Sequence, residues 1–517
     1  MLFGKFHGCL PLMEWIVLKE AKKTMIVGLD IGTQSLKAVV VDQNMRLLGD
    51  AAYRYTPSFP QPGWAEQDPA LWEKGLRIAV ASALSDAGLN SAEVRALGIA
   101  GQLDGCLPVD PEGRAVSNCL IWMDRRADKE LKALTGIDAK KLRRLTGITM
   151  DAGHMAAKIL WFLNNLPGNR TDLCFHQPVS YMVSRLTGSN VFDHALASTS
   201  MLYSLEKGDY DTGLLKVFGL DRRQLPEIKE AWEQAGEISA EGAALSGLPQ
   251  GIPVAVGTGD DYATPLGAGL IEPGRMVCVL GTAEVVGALD GSPKIDAQGL
   301  VETHRYFGGS YFIENPGWLS GGALEWFVDT FRLKAVEEMV GQAESAPAGC
   351  EGLLFLPALS GAMAPQWIES ARGSFYGLTP AHGTAHMARA VLEGCAFAMR
   401  DVFERLRSMQ VPVQSILLLG GGAKSRLWGQ IRADISGIPV AVPPQLDTSP
   451  IGAAMLAAVA AKIQPDLETC SMLVEAGEKG TAGKTVIKPS PARVELYDAA
   501  YSSYGRLFES LKPMFQV

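Results

Sequence analysis

Two stretches half a chain apart open in the same way, and this repetition constrains the fold more than any other feature. Residues 25–42 read MIVGLDIGTQSLKAVVVD and residues 276–289 read MVCVLGTAEVVGAL. Each is an apolar, β-rich run, a Gly-Thr turn and a second apolar run. Two halves that begin on similar hairpins imply a duplicated fold. Strand, Gly-Thr, strand is common enough to recur by chance, and the placement near the midpoint gives the echo its weight. Length agrees, because 517 residues exceed what a single hydrophobic core holds. In the first turn Asp30, Gly32 and Thr33 bring together a carboxylate, a permissive backbone and a hydroxyl. Those groups suit a phosphate and a magnesium ion that keeps its waters, although an ordinary hairpin with polar turn residues fits the same letters.

Charge and composition remove several classes of function. Apolar residues make up 47% and charged residues 20% of the chain. No window is apolar for the length of a membrane span, so a globular protein without a membrane partner is expected. Lys plus Arg number 47 against 56 Asp plus Glu, a net charge of −9 with no basic block, so nucleic acid is not an expected partner. The eight cysteines form no CxxC pair, which points to a reducing cytoplasm rather than to a disulfide framework or a zinc site. Residues 1–24 scatter charges among short apolar pieces without a cleavage-site pattern, and read as an extension ahead of the first strand.

Along the chain, Asp68 and Pro69 announce a helix that Gly88 ends. Apolar strands at 94–100, 252–256 and 416–419 run into glycine-rich, polar turns: Gly101-Gln102-Leu103-Asp104-Gly105, Gly257-Thr258-Gly259-Asp260-Asp261 and Gly420-Gly421-Gly422. Polar groups beyond the end of a buried strand are where open α/β sheets bind ligands. The glycine triplet lets a flat molecule lie against the backbone, and the order of a Walker loop is absent. Residues 452–462 read as an alanine-rich helix and 491–511 as a final amphipathic one.

Together these motifs resemble the FGGY family of carbohydrate kinases. GSFYGLTPAHGTAHMARAVLEGCAFAMRD at 373–401 is similar to the family's C-terminal signature, and GGGAKSRLWGQIRADISGIPV at 420–440 to its xylulokinase branch. In GHMAAKILWFLNN at 153–165 only part of the N-terminal signature is kept: Lys158 and Trp161 fit, and Met155 departs. The resemblance implies a duplicated α/β fold of the actin, hexokinase and Hsp70 type (ribonuclease H-like), with two domains and an inter-domain cleft. Residues 25–270 would form the sugar and phosphate side, and 271–517 the nucleotide side with a terminal helix. It further implies ATP-dependent phosphorylation of a hydroxyl of a neutral sugar, a ketose such as xylulose, or of a polyol, with ATP and Mg2+ and a small-molecule substrate, and it is compatible with a homodimer. The alternatives are a glycerol, erythritol or ribulose kinase of the same family, or a member that binds sugar and ATP without turnover.

Carried over by position, the resemblance gives Asp30 the magnesium, Gly32 and Thr33 a first phosphate loop, and Gly281 and Thr282 a second. It gives Gly321, Gly421, Gly422 and Arg426 the nucleotide pocket, and Asp260 the role of catalytic base. The chemistry supports the last: transfer to an alcohol needs one carboxylate to accept its proton, while positioning and charge neutralisation do the rest. Side chains of successive extended residues point opposite ways, so only one of Asp260 and Asp261 faces the hydroxyl. Asp261 is left to accept a sugar hydroxyl or to cap the helix. Gln102, Leu103 and Asp104 form the substrate loop. Xylulokinases resemble one another in GQMHG, whereas here Asp104 replaces the histidine, an anionic acceptor that favours hydroxyl donors and repels a carboxylated sugar. Three further readings are structural: Asp124 with Arg125 as an ion pair, His154 as a helix-surface or core histidine, and Lys37 and Lys424 as solvated lysines.

Overall fold

The structure, a computed structural model, describes residues 24–168, 170–480 and 484–516. The extension expected at 1–24 therefore lies, apart from Thr24, outside the described residues.

Seven strands make the first sheet: β1 (Met25–Ile31), β2 (Ser35–Asp42), β3 (Leu47–Arg54), β4 (Val94–Gly101), β5 (Gln234–Glu237), β6 (Pro253–Ala255) and β7 (Thr258–Gly259). Seven more make the second: β8 (Gly274–Leu280), β9 (Ala283–Asp290), β10 (Glu302–Arg305), β11 (Tyr311–Leu319), β12 (Val413–Leu419), β13 (Val440–Val442) and β14 (Thr485–Ile487). The first sheet runs β5-β6-β4-β1-β2-β3, with β7 also on β4, and the second runs β10-β11-β9-β8-β12-β13-β14. In each, the opening hairpin is antiparallel and its first strand pairs in parallel with the strand that follows much later in sequence. Strand for strand, β3-β2-β1-β4-β6 matches β11-β9-β8-β12-β13, so the repeated hairpin marks a repeated topology. The loops differ by one residue: Ile31 faces Leu36 across four loop residues, whereas Leu280 faces Glu284 across three.

Local chemistry accounts for the elements. Helix Pro69–Asp86 starts where expected, with Pro69 in its first turn and Asp68 accepting from the Ala70 amide at 2.9 Å. β1 is buried at every position because it is covered on both faces. On one side lies helix Pro69–Asp86, packed on β2 and β3, and on the other helix Ser449–Ala460, packed on β1 and β4. The latter is the alanine-rich helix expected at 452–462, begun three residues earlier with Pro450 in its first turn. It belongs by sequence to the second half but lies on the first sheet. Helices Asp260–Gly267 and Ser449–Ala460 sit between the two sheets, in a cluster that joins Ile26, Val39 and Ala96 of the first to Val277, Leu289 and Leu417 of the second.

Glycine permits that close approach. A Cβ on Gly98 would stand 1.8 Å from the Ala453 carbonyl oxygen, and one on Gly28 1.9 Å from that of Pro450. Gly98→Ala is therefore expected to destabilise the protein by about 2–3 kcal/mol through forced backbone displacement. Gly421→Ala, whose new methyl would meet nothing within 4 Å, is expected to leave stability near wild type. Paired urea unfolding curves check this, and equal stability of both variants would contradict the packing described. Between β4 and β5 the chain inserts a helical subdomain with its own core, including Phe162, Phe175, Phe192 and Tyr203. No helix among the described residues is long and apolar enough to cross a membrane.

Candidate active site

The end of β1 places Asp30 at the cleft with little exposure. Lys37, its register partner on β2, has Nζ 3.7 Å from Asp30 Oδ2 and 2.7 Å from Asp447 Oδ2. Lys37 is thus not the solvated lysine expected, because strand pairing sets it between two carboxylates. Burial pushes the Asp30 carboxyl up to about 6 against the pull of Lys37. Its Oδ1 is buried without a hydrogen-bond partner among the described residues. A lone hard oxygen on a strand end beside a loop of amides fits a magnesium ion that takes its other ligands from phosphate and water.

The loop after β1 is braced from behind. Tyr55 donates its hydroxyl to the Gly32 carbonyl at 2.7 Å, and the Trp122 indole donates to Thr33 Oγ1 at 3.0 Å. Thr33 therefore accepts one bond and keeps its own proton to give. Gln102 belongs to this bracing, donating to Gln67 Oε1 at 2.6 Å and to the Gly32 carbonyl at 3.5 Å. Leu103 lies across Gly259, where a Cβ would come within 1.9 Å of its methyl. Among the three substrate-loop residues, Asp104 carries the polar contacts of the cleft.

Asp260 and Asp261 occupy the first turn of helix Asp260–Gly267, straight after β7. Asp260 Oδ1 accepts from the Asp261 amide at 3.2 Å. Burial, then Asp261 and Asp30, hold the Asp260 carboxyl well above the usual carboxylate range. Burial, then Asp104 and Asp30, push Asp261 up to about 7. Asp30, Asp260, Asp261 and Asp104 thus form one electrostatically connected group, the arrangement that tunes a carboxylate to accept protons near neutral pH.

Asp104, left-handed at φ +57°, meets groups that sequence reasoning discounted or missed. His154 Nδ1 lies 3.1 Å from Asp104 Oδ2, and Lys158 Nζ donates to the Asp104 carbonyl at 2.6 Å. Gln177 Oε1 accepts from the Asp104 amide at 2.9 Å. Behind His154 stand Glu302 and His304 of β10 and Glu314 of β11. His154 Nε2 is 3.9 Å from Glu302 Oε1, and His304 Nε2 is 3.4 Å from Glu314 Oε1. Of the two places expected for His154, surface or core, it takes the core, and there its imidazole faces Asp104. The retained Lys158 of the signature, one helical turn beyond and buried against the Asp104 carbonyl, was the signal that this segment packs on the substrate loop.

The Asp124–Arg125 pair is also not formed as expected. Asp124 takes the Arg126 Nε at 2.9 Å, with that guanidinium stacked 3.6 Å over the Trp64 ring, while Arg125 Nη2 reaches Asp151 Oδ2 at 2.7 Å.

On the second sheet, the Gly281-Thr282 loop docks on the start of helix Gly321–Phe331. The Gly321 amide donates to the Gly281 carbonyl at 3.1 Å, and the Gly322 amide to that of Thr282 at 3.0 Å. A Cβ on Gly321 would stand 2.3 Å from the Gly281 oxygen. Behind the loop, Arg432 and Glu284, both fully buried, pair through both nitrogens, Nη2 to Oε2 at 2.7 Å. The Ser320 hydroxyl donates to the same Oε2 at 2.7 Å. Gly421 faces open space, whereas the smallness of Gly422 serves the Trp428 ring, 2.7 Å from where its Cβ would be. Arg426 is exposed at the first position of helix Arg426–Ser436.

Comparison with known proteins follows the same outline. Residues 25–267 match the FGGY family of carbohydrate kinases, N-terminal domain, and residues 276–461 match its C-terminal domain. A glycerol kinase of Thermococcus onnurineus (strain NA1) is 31% identical over 461 residues, covering 87% of this chain and 92% of that protein. A xylulose kinase of Escherichia coli (strain K12) is 30% identical over 498 residues, covering 95% and 100%. Among solved structures, xylulose kinase from Rhodospirillum rubrum has a TM-score of 0.86 at 28% identity, covering 95% of this chain and 100% of that one.

Proposed function

The chain belongs to the FGGY family of carbohydrate kinases, and from that premise we propose that it transfers the terminal phosphoryl group of ATP to a hydroxyl of a neutral ketose such as xylulose or a polyol such as glycerol. The observation that carries this reading is that the adjoining ends of β1, β4 and β7 gather four carboxyls: Asp30 and Asp104, each with an unpartnered buried Oδ1 among the described residues, and Asp260 and Asp261 in the first turn of one helix. They offer a cation holder, a proton acceptor and hydroxyl acceptors.

In this reading Asp260 takes the proton of the attacking hydroxyl as its oxygen bonds to the γ-phosphorus and the bond to ADP breaks. Asp30 would hold magnesium, which neutralises phosphate charge when bound. Gly32 and Thr33 from the first hairpin, and Gly281 and Thr282 from the second, line the phosphates, while Gly321, Gly421, Gly422 and Arg426 receive the nucleoside side. Asp104 Oδ1 and Asp261 accept hydroxyls of the acceptor, and Gln102 and Leu103 hold the loop that carries Asp104. Residues 25–270 serve as the sugar and phosphate domain and 271–517 as the nucleotide domain, and cysteines without a disulfide framework fit a reducing cytoplasm.

Release of ADP with D-xylulose, D-ribulose, glycerol, erythritol and D-gluconate tests the proposal. One neutral acceptor is expected to exceed gluconate by about 100-fold in kcat/KM, since a substrate carboxylate here meets acceptor oxygens where it needs donors. Preference for gluconate, or ATP hydrolysis indifferent to every acceptor, would overturn it.

A further inference from the structure

Resting on the reading of Asp104 as an acceptor contact, we infer that His154 is the positioning residue that fixes Asp104, holding one carboxylate oxygen so that the other is presented to a substrate hydroxyl. Asp104 sits in a left-handed conformation, uncommon for a non-glycine residue, and its surroundings hold it there. The surroundings are three bonds: amide to Gln177 Oε1 at 2.9 Å, carbonyl from Lys158 Nζ at 2.6 Å, and Oδ2 to His154 Nδ1 at 3.1 Å. Only Oδ1 is left, buried and without a hydrogen-bond partner among the described residues. An ionised carboxylate oxygen can only accept, so the group that completes it must be a donor. The acceptor atom at this position is therefore a hydroxyl, and the carbonyl of a ketose has to lie elsewhere in the site.

His154 is itself held from the second sheet. The residue is 7% exposed, and its Nε2 stands 3.9 Å from Glu302 Oε1, which accepts from the Thr149 amide at 2.8 Å. The charged and titratable groups facing it are Asp104 from the substrate loop, Asp151 from its own segment with Arg125 beyond, Lys158 one turn along the helix, and Glu302 and His304 from β10. Burial works against a charge on the ring, but Asp104, Glu302 and Asp151 outweigh it and push the imidazole up to about 9. The cationic form keeps Oδ2 occupied at neutral pH and is lost as pH rises through about 9.

Steady-state kinetics with the best neutral acceptor, on the full chain, test this. His154→Phe is expected to raise the acceptor KM about 30-fold, with the KM for ATP and kcat moving much less, because a charge-assisted bond that orients the carboxylate is gone. His154→Gln, which keeps one donor, should recover most of the loss and carries the test if the phenylalanine variant does not fold. In the Asp104→Asn background His154→Phe should add little, since its effect passes through Asp104. The wild-type acceptor KM should rise above about pH 9, and in His154→Gln that rise should vanish. Equal increases in both KM values, or full additivity with Asp104→Asn, would reduce His154 to a packing residue and overturn the inference. A wild-type enzyme that phosphorylates no neutral sugar or polyol would instead overturn the proposed function, and is seen before any variant is made.

Discussion

Asp260→Asn is expected to lower kcat by about a hundred- to ten-thousandfold while nucleotide affinity stays within about threefold. The span is what a positioned general base contributes. Asparagine keeps the shape and cannot take the proton, and Asp260 is the carboxyl that burial, Asp261 and Asp30 hold well above the usual range. Calorimetric titration with ADP against stopped assays separates the two effects. Near-normal turnover in Asp260→Asn with a collapse in Asp261→Asn would move the base one residue along.

The same crowding makes a stability prediction with a definite sign. Asp30, Asp260 and Asp261 all have folded-state pKa values above their unfolded ones, so the folded chain binds more protons between the two. Stability without ligand should therefore fall as pH rises from about 4 through about 7. Asp260→Asn, which removes one of the three charges, is expected to melt higher than wild type at pH 8. A site built for transfer is here stabilised by losing its reactive group.

Arg432→Ala is expected to destabilise the protein by about 3–5 kcal/mol, the range for removing one partner of a buried pair. Arg432 and Glu284 are both fully buried, and the loss would leave the Glu284 carboxylate in the core with the Ser320 hydroxyl as its one remaining hydrogen-bond donor among the described residues. Because Glu284 directly follows the Gly281–Ala283 loop and Ser320 precedes helix Gly321–Phe331, the damage should fall on ATP rather than on the acceptor. Urea unfolding and the two KM values measured together check this. Replacing both partners, Arg432→Met with Glu284→Gln, should restore part of the stability, since no charge is then left unpaired.

The repeated hairpin told most of the fold because local pattern and tertiary role coincide there: apolar strands flank a Gly-Thr turn, and each hairpin opens a sheet of the same order. Asp68 and Pro69 were legible for the same reason, since capping is local. Helix Ser449–Ala460 was legible as a helix, yet its place between the sheets was not, because an all-apolar, small-residue helix says only that it is buried. The half of the site that escaped notice lies on β10 and β11. Glu302, His304 and Glu314 look like ordinary charged letters in sequence, and only the antiparallel register that sets Glu302 opposite Glu314 brings them behind His154. Likewise Glu284 and Arg432 meet across 148 residues, a separation that no spacing rule reaches.

Following the labelled phosphoryl group is the most direct measurement. The protein is incubated with γ-labelled ATP, magnesium and an equimolar mixture of glycerol, D-xylulose and D-gluconate, and the label is traced by mass spectrometry. The expected result is label in the monophosphate ester of a neutral acceptor, absent in Asp260→Asn. Label found only in inorganic phosphate, or in phosphogluconate, would contradict it.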